Sequence, residues 1–159
     1  MQKLRRFKQL DKRLSAIAEF VRENATVCDI GTDHAHLPCF LARSGRYGQI
    51  YASDLNPKPL TFAKAEIEKQ EANVILLQSD GLQNVPPCDD VIIAGMGGEL
   101  ITEIIANCPF KNPNLRLILQ PMTKQEILRQ ALPKLGYTIL EEKIIREKNK
   151  IYTIIYAKG

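Results

Sequence analysis

Asp29-Ile-Gly-Thr-Asp-His-Ala-His-Leu-Pro38 lies between a short apolar run and a helical one, so it reads as a buried strand turning into a helix. Asp29 closes the strand, Gly31 makes the turn, and Asp33 and His34 stand at the mouth of the helix. Working outward, the same kind of ending recurs at Ala52-Ser-Asp54, at Ser79-Asp80-Gly81 and at Ala94-Gly-Met-Gly-Gly98. Open α/β sheets bind their ligands at the carboxyl ends of the strands. Four such ends in order describe a cleft for a nucleotide-type cofactor.

The rest of the chain supplies the sheet. Apolar, strand-like runs occupy 26–30, 49–53, 73–78, 90–94 and 115–120, each short, as expected of parallel strands covered on both faces. Helical patterns fall at 36–44, 57–70, 98–107 and 123–135. Pro57 and Pro59 suit a first turn, and Gly136 suits a C-terminus. Residues 137–146 and 150–157, joined by Glu147-Lys-Asn149, read as an antiparallel hairpin. Five βα units and a terminal hairpin predict a Rossmann-like seven-stranded methyltransferase sheet with one reversed strand and helices on both faces.

Ahead of the sheet, Phe7, Leu10, Leu14, Ile17, Ala18 and Val21 form one apolar helical stripe. The expected organisation is therefore a basic N-terminal helix over 1–24 packed on a domain over 25–159. A chain of 159 residues, 45% hydrophobic and 25% charged, suits one globular domain. No run is long enough for a membrane span, no signal peptide is evident, and the four cysteines lack CxxC spacing. These features predict a cytoplasmic protein with reduced thiols. The charge is uneven. Lys3, Arg5, Arg6, Lys8, Lys12 and Arg13 stand against Asp11 alone, a local +5 on a chain whose net charge is +4. Such an arm is either a handle for a polyanion or a solvated helix face.

Each strand end has a chemical job. Gly31 lets the backbone approach the cofactor closely. Asp54, with Leu55 beside it, is placed to take two ribose hydroxyls. Asp80 with Gly81 stands by the expected adenine, whose amino protons a carboxylate accepts. Gly95 and Met96 fall to the cofactor and Gly97 to the substrate. Asp29 and Asp54 also suit plain turn or helix caps, and the glycine pair plain turn chemistry.

The turn Gly31-Thr-Asp33-His-Ala-His36 lacks the G-x-G-x-x-G on which a pyrophosphate rests. Asp33 would repel a pyrophosphate and tolerate a cationic sulfonium, which favours S-adenosylmethionine over NAD. His34-x-His36-x-x-Cys39 has no evident fourth ligand, so no metal is expected.

Leu10-Asp-Lys-Arg-Leu14, Asp29-Ile-Gly-Thr-Asp-His-Ala35, Asp80-Gly-Leu82, Ala94-Gly-Met-Gly-Gly-Glu-Leu-Ile101 and Leu117-Ile-Leu-Gln-Pro121 resemble the bacterial tRNA (adenine-N1) methyltransferases acting on position 22, in the D-arm region. The resemblance implies S-adenosylmethionine as donor and tRNA as substrate. It implies that Asp29, Gly31, Asp54, Asp80 and Gly81 bind the cofactor, and that Asp33 and His34 face the target adenine, with Arg13 nearby and Gly95-Met96-Gly97 lining the pocket. Family members commonly carry Tyr where this chain has His36, and an imidazole stacks less well. The family usually continues into a helical, coiled-coil-like extension, whereas this sequence stops at Gly159, immediately after the last expected strand.

Adenine N1 has an in-plane lone pair and is largely unprotonated at neutral pH, so positioning rather than base catalysis is expected. Asp33 would hold the N6 amino group and offset the positive charge that forms on the base. His34 orients Asp33, contacts the base, or only bonds the helix start. The base must be unpaired or extruded. Lys8, Lys12 and Arg13 would grip phosphates. A methyltransferase for another RNA or a small molecule, and a non-catalytic RNA-interaction module, are the alternatives.

Overall fold

A computed structural model describes residues 9–159; Phe7 and Lys8 lie outside the described residues. The chain runs α1 (Lys12–Glu19), β1 (Val27–Ile30), α2 (His36–Ser44), β2 (Ile50–Asp54), α3 (Pro57–Gln70), β3 (Val74–Gln78), β4 (Asp90–Gly97), α4 (Gly98–Ala106), β5 (Arg116–Thr123), α5 (Gln125–Lys134), β6 (Thr138–Glu147) and β7 (Lys150–Lys158). The sheet order is β3-β2-β1-β4-β5-β7-β6. The first five strands are parallel, and β7 alone runs against its neighbours β5 and β6. This is the Rossmann-like sheet with a terminal hairpin that the sequence implies.

Alternation along the central strands divides the core between two faces. Val27, Ile92, Ile118 and Ile154 pack against Ile17 of α1 and Leu41 of α2. Their neighbours Cys28, Val91, Ile93, Leu117, Leu119 and Ile155 pack against Ile101 of α4 and Leu128 of α5. All four residues of β1 are buried, as a central parallel strand requires. Among the described residues no helix is long and apolar enough to cross a membrane.

Three details depart from the sequence expectation. The βα units number four, not five, because β3 connects to β4 through turns, in keeping with the absence of a helical pattern there, and Leu82, Val85 and Cys88 fill the space over the sheet. β4 and β5 continue to Gly97 and Thr123, past the expected ends at 94 and 120. Lys124 takes a left-handed φ of 56°, so α5 starts at Gln125 instead of 123.

α1 begins on a local cap, the Asp11 carboxylate accepting the Leu14 N–H at 2.8 Å. Its far end is tied to the foot of the sheet by Arg22. The guanidinium donates to the Asp90 carboxylate at 2.6 and 2.8 Å and to the carbonyls of Asp89 and Asn114 at 3.0 and 2.6 Å. The Asp90 side chain is fully buried, and that burial holds its carboxyl above the usual range despite Arg22. Removing the cation strands a desolvated carboxylate, which costs more than the pair itself contributes. Arg22→Ala is expected to lower the unfolding free energy by about 2–3 kcal/mol, allowing for the partial exposure of Arg22. Urea denaturation would show this as a lower midpoint at unchanged slope.

Candidate active site

The turn after β1 is built from unusual backbone. Gly31, Asp33 and Ala35 all take left-handed φ values, of 69°, 52° and 57°. Two of these are not glycines, and such strain persists only where the surroundings hold it. The Thr32 N–H is fixed by the Ser53 carbonyl at 2.9 Å, and its hydroxyl donates to the Asp29 carboxylate at 2.9 Å. A Cβ on Gly31 would collide with the end of the Met96 side chain, which lies across the turn.

A second turn device faces it. Pro121 cannot donate to the ladder, and β4 answers with a bulge in which Ala94 pairs Gln120, Met96 pairs Pro121, and Gly95 is left over at φ 78°. The side chain of Gln120, fully buried, takes over. Its Oε1 accepts the Gly95 N–H at 3.1 Å and an Arg13 guanidinium N–H at 2.7 Å. The same guanidinium lies 5.8 Å from the centre of the Tyr152 ring.

Between these turns is a cleft of about 380 Å³, whose lining includes Arg13, Asp29, Gly31, Thr32, Asp33, His34, His36, Gly95, Met122 and Tyr152. Asp33 and His34 are exposed, with Nε2 of His34 at 3.9 Å from the Asp33 carboxylate. The His34 ring stacks on His36 at 5.6 Å and on Phe62 of α3 at 5.1 Å, so three rings form a ladder beside the cleft. His36 Nδ1 lies 3.7 Å from the Glu66 carboxylate. Cys39 is buried, and among the described residues no group of three or more His, Cys, Asp or Glu side chains could hold a metal.

The structure thus brings together Arg13, Asp29, Gly31, Asp33, His34, His36 and Gly95. The other sequence candidates lie elsewhere. Asp54, half-buried at the end of β2, accepts the N–H groups of Asp33 at 3.3 Å and Asn56 at 3.2 Å, with Leu55 exposed beside it. Asp80 and Gly81 line a separate depression of about 330 Å³ with Leu100 and Ile104. Met96 packs partly buried against the core, and Gly97 sits against Thr123. Lys12 points away from its neighbour Arg13, because consecutive helical side chains diverge. It lines an outer depression with Lys143 and Arg146.

Thr32 and Gln120, though inside the motifs quoted above, and Met122 and Tyr152 were given no role by the sequence reading. Gln120-Pro-Met122 ends the fifth strand, so the rule that flagged the other four ends could have found it. Tyr152 carries no local signal. It reaches the cleft because β7 is antiparallel and begins at the end of the sheet where the parallel strands finish.

Residues 10–155 match the family of methyltransferase domains. The tRNA (adenine(22)-N(1))-methyltransferase of Bacillus subtilis is 35% identical over 156 residues, covering 95% of this chain and 66% of that protein. The crystal structure of the B. subtilis M1A22 tRNA methyltransferase TrmK superimposes with a TM-score of 0.88 at 32% identity, over 95% of this chain and 67% of the other. A Streptococcus pneumoniae protein crystallised with S-adenosyl-L-methionine gives 0.87 at 32% identity, over 95% and 73%. The fold and cleft are those of a class I methyltransferase domain. The chain belongs to the bacterial tRNA (adenine-N1) methyltransferase family, and it spans about two thirds of the length of these relatives.

Burial pushes the Asp29 carboxyl from an ordinary 3.8 up to about 7, with Asp54 adding repulsion, while the Thr32 hydroxyl and the Arg13 charge pull it down. The folded chain therefore keeps a proton that the unfolded chain releases. The stabilisation is complete below about pH 4 and is lost as pH rises through 7. Between pH 5 and 8 this group should lower the unfolding free energy by about 2–3 kcal/mol. Urea unfolding across that range checks it: Asp29→Asn should flatten the profile, and an unchanged slope would remove the assignment.

Proposed function

We propose that the protein transfers the methyl group of S-adenosylmethionine to N1 of an adenine in tRNA, at position 22 in the D-arm region. The observation that carries this reading is the cleft where Asp29, Asp33, Gly31 and Gly95 converge at the strand ends of a domain belonging to this family. The donor set suits the cofactor. Gly95 leaves its backbone bare beside the cleft, and Asp29 is a desolvated carboxylate bonded by one hydroxyl, an environment that a cation relieves. When bound, the cofactor supplies an activated methyl group on a sulfonium.

The chain's own residues do the rest. Asp54 is fixed by two backbone N–H groups and keeps lone pairs for ribose hydroxyls. Asp80 is exposed on a turn that Ser79 orders through bonds to the Gly81 carbonyl and the Asn84 N–H, and it accepts amino protons of the cofactor's adenine. Asp33, exposed in the left-handed turn, takes the N6 amino group of the target base and offsets the positive charge as N1 is alkylated. The His34–His36–Phe62 ladder offers an extruded base a stacking surface. Lys12, with Arg146 on the adjoining outer surface, offers cations to the RNA backbone, while Lys143 there is paired with Glu19 at 3.1 Å. Such a substrate places the protein in the cytoplasm.

The test is methyl transfer to an unmodified tRNA transcript with adenine at position 22, read as 1-methyladenosine by nucleoside mass spectrometry, beside a matched transcript with guanine there. Product from the adenine transcript alone supports donor, acceptor and atom together. Cofactor binding without product would point to another acceptor or to a binding module. In the same assay Asp33→Ala should abolish transfer while leaving cofactor affinity within about threefold, since the lost contact is to the base. Unchanged turnover would sink the role of Asp33.

A further inference from the structure

The terminal hairpin outlasts its pairing with the rest of the sheet. β7 is bonded to β5 from Ile155 to Lys158, but from Lys150 to Ile154 it is paired with β6 and not with β5. The two strands therefore continue as a two-stranded ribbon at the cleft end of the molecule, where Tyr152, on one face of it, lines the cleft. The other face is bare. Cross-strand partners share a face, so Ile144 lies with Thr153 and Arg146 with Ile151, which makes the two isoleucines diagonal neighbours. They are 70% and 61% exposed, more than any other large apolar side chain among the described residues.

The tip of the ribbon carries charge of one sign. Lys143, Arg146, Lys148 and Lys150 stand against Glu147 alone. Lys143 is paired with Glu19 at 3.1 Å, and the Glu147 carboxylate is turned back to the Arg13 N–H of α1 at 3.4 Å. Among the described residues Arg146, Lys148 and Lys150 make no ion pair. The turn itself is strained. Lys148, the first of its two loop residues, takes a left-handed φ of 55°, where a two-residue hairpin favours glycine. Lysine there keeps a cation at the outermost point of the ribbon.

We propose that this ribbon is a docking element for RNA, seating the helical stem beside the target base. Lys148 and Lys150, with Arg146, meet backbone phosphates, and Ile144 and Ile151 rest on the ribose edges of the stem's wide, shallow minor groove. This rests on the tRNA reading above and extends its outer cationic surface across the tip of the hairpin. Continuity supports it. Lys150 is two residues from Tyr152, about 7 Å of strand, so a chain whose base enters the cleft passes over the tip. Arg146 joins the tip to the outer depression that Lys12 lines. A second copy of this chain is the competing occupant, but a two-fold contact sets a patch against its own image. A patch of one sign repels that image and attracts a polyanion.

Filter binding of an unmodified tRNA transcript to the full chain, over a range of salt concentrations, tests this. Lys148→Gly suits the left-handed turn and removes only the cation, and Lys150→Gln keeps the strand. Together they should weaken tRNA about 10–100-fold at low salt and reduce the salt slope by about 2. Calorimetric affinity for S-adenosylhomocysteine should not change. Ile144→Thr with Ile151→Thr should weaken tRNA at an unchanged salt slope, since no charge is lost. Lysine variants that bind tRNA as wild type does overturn the docking role alone. A wild-type dimer by light scattering that Ile144→Thr converts to monomer, with tRNA affinity unmoved, gives the face to a second copy and also overturns it. Wild-type protein that retains no tRNA overturns the tRNA reading, and the docking role with it.

Discussion

A carboxamide oxygen buried at the end of β5 must satisfy its lone pairs with what lies around it. Gln120 does so with one N–H from the bulge of β4 and one from Arg13 of the N-terminal helix. The cause lies one residue on, where Pro121 removes a ladder donor and forces the neighbouring strand to shed Gly95 from the pairing. Because the oxygen is dry, losing either donor leaves a cost that water cannot repair. The helix, the bulge and the hairpin that brings in Tyr152 are thus drawn to one point, and the cleft has its shape because they meet there.

On the other side of the cleft the constraint is backbone conformation. Asp33 and Ala35 occupy left-handed geometry without being glycines, held by the Thr32 bonds to Ser53 and Asp29 and by the Asp33 N–H on Asp54. That last bond joins the ends of β1 and β2 directly. The carboxylate expected to hold a ribose therefore also orients the turn carrying the carboxylate expected to meet the base, so the two halves of the site cannot be disturbed independently.

The sheet was legible because parallel strands covered on both faces carry short apolar runs, as Val91-Ile-Ile-Ala94 and Leu117-Ile-Leu119 do. The hairpin was legible from two strand-like runs around Glu147-Lys-Asn149. The β3–β4 link was counted as one more βα unit, since nothing local says that Leu82, Val85 and Cys88 suffice to cover the sheet there. At the site, the positions of Asp29, Gly31, Asp33 and Gly95 around the cleft were legible because each falls at or just after a strand end. Tyr152 was not, because its place depends on the direction in which a distant strand returns. Sequence also could not separate Lys12 from Arg13, adjacent cations that the helix sends to different surfaces. Nor could it show that Asp80 opens onto its own depression.

The node linking Arg13, Gln120 and Tyr152 also has a consequence in time. A chain emerging from the ribosome offers Arg13 first, Gln120 more than a hundred residues later, and Tyr152 only after both strands of the hairpin have been started. Chains fold as they are made, from the amino end. The N-terminal helix can therefore form early, yet its arginine has nothing to hold until the sheet is almost complete. A nascent chain exposes a flexible cation where the finished one has a fixed site. Ligand capture, and the stability that binding confers, must then be the last events in the maturation of the molecule.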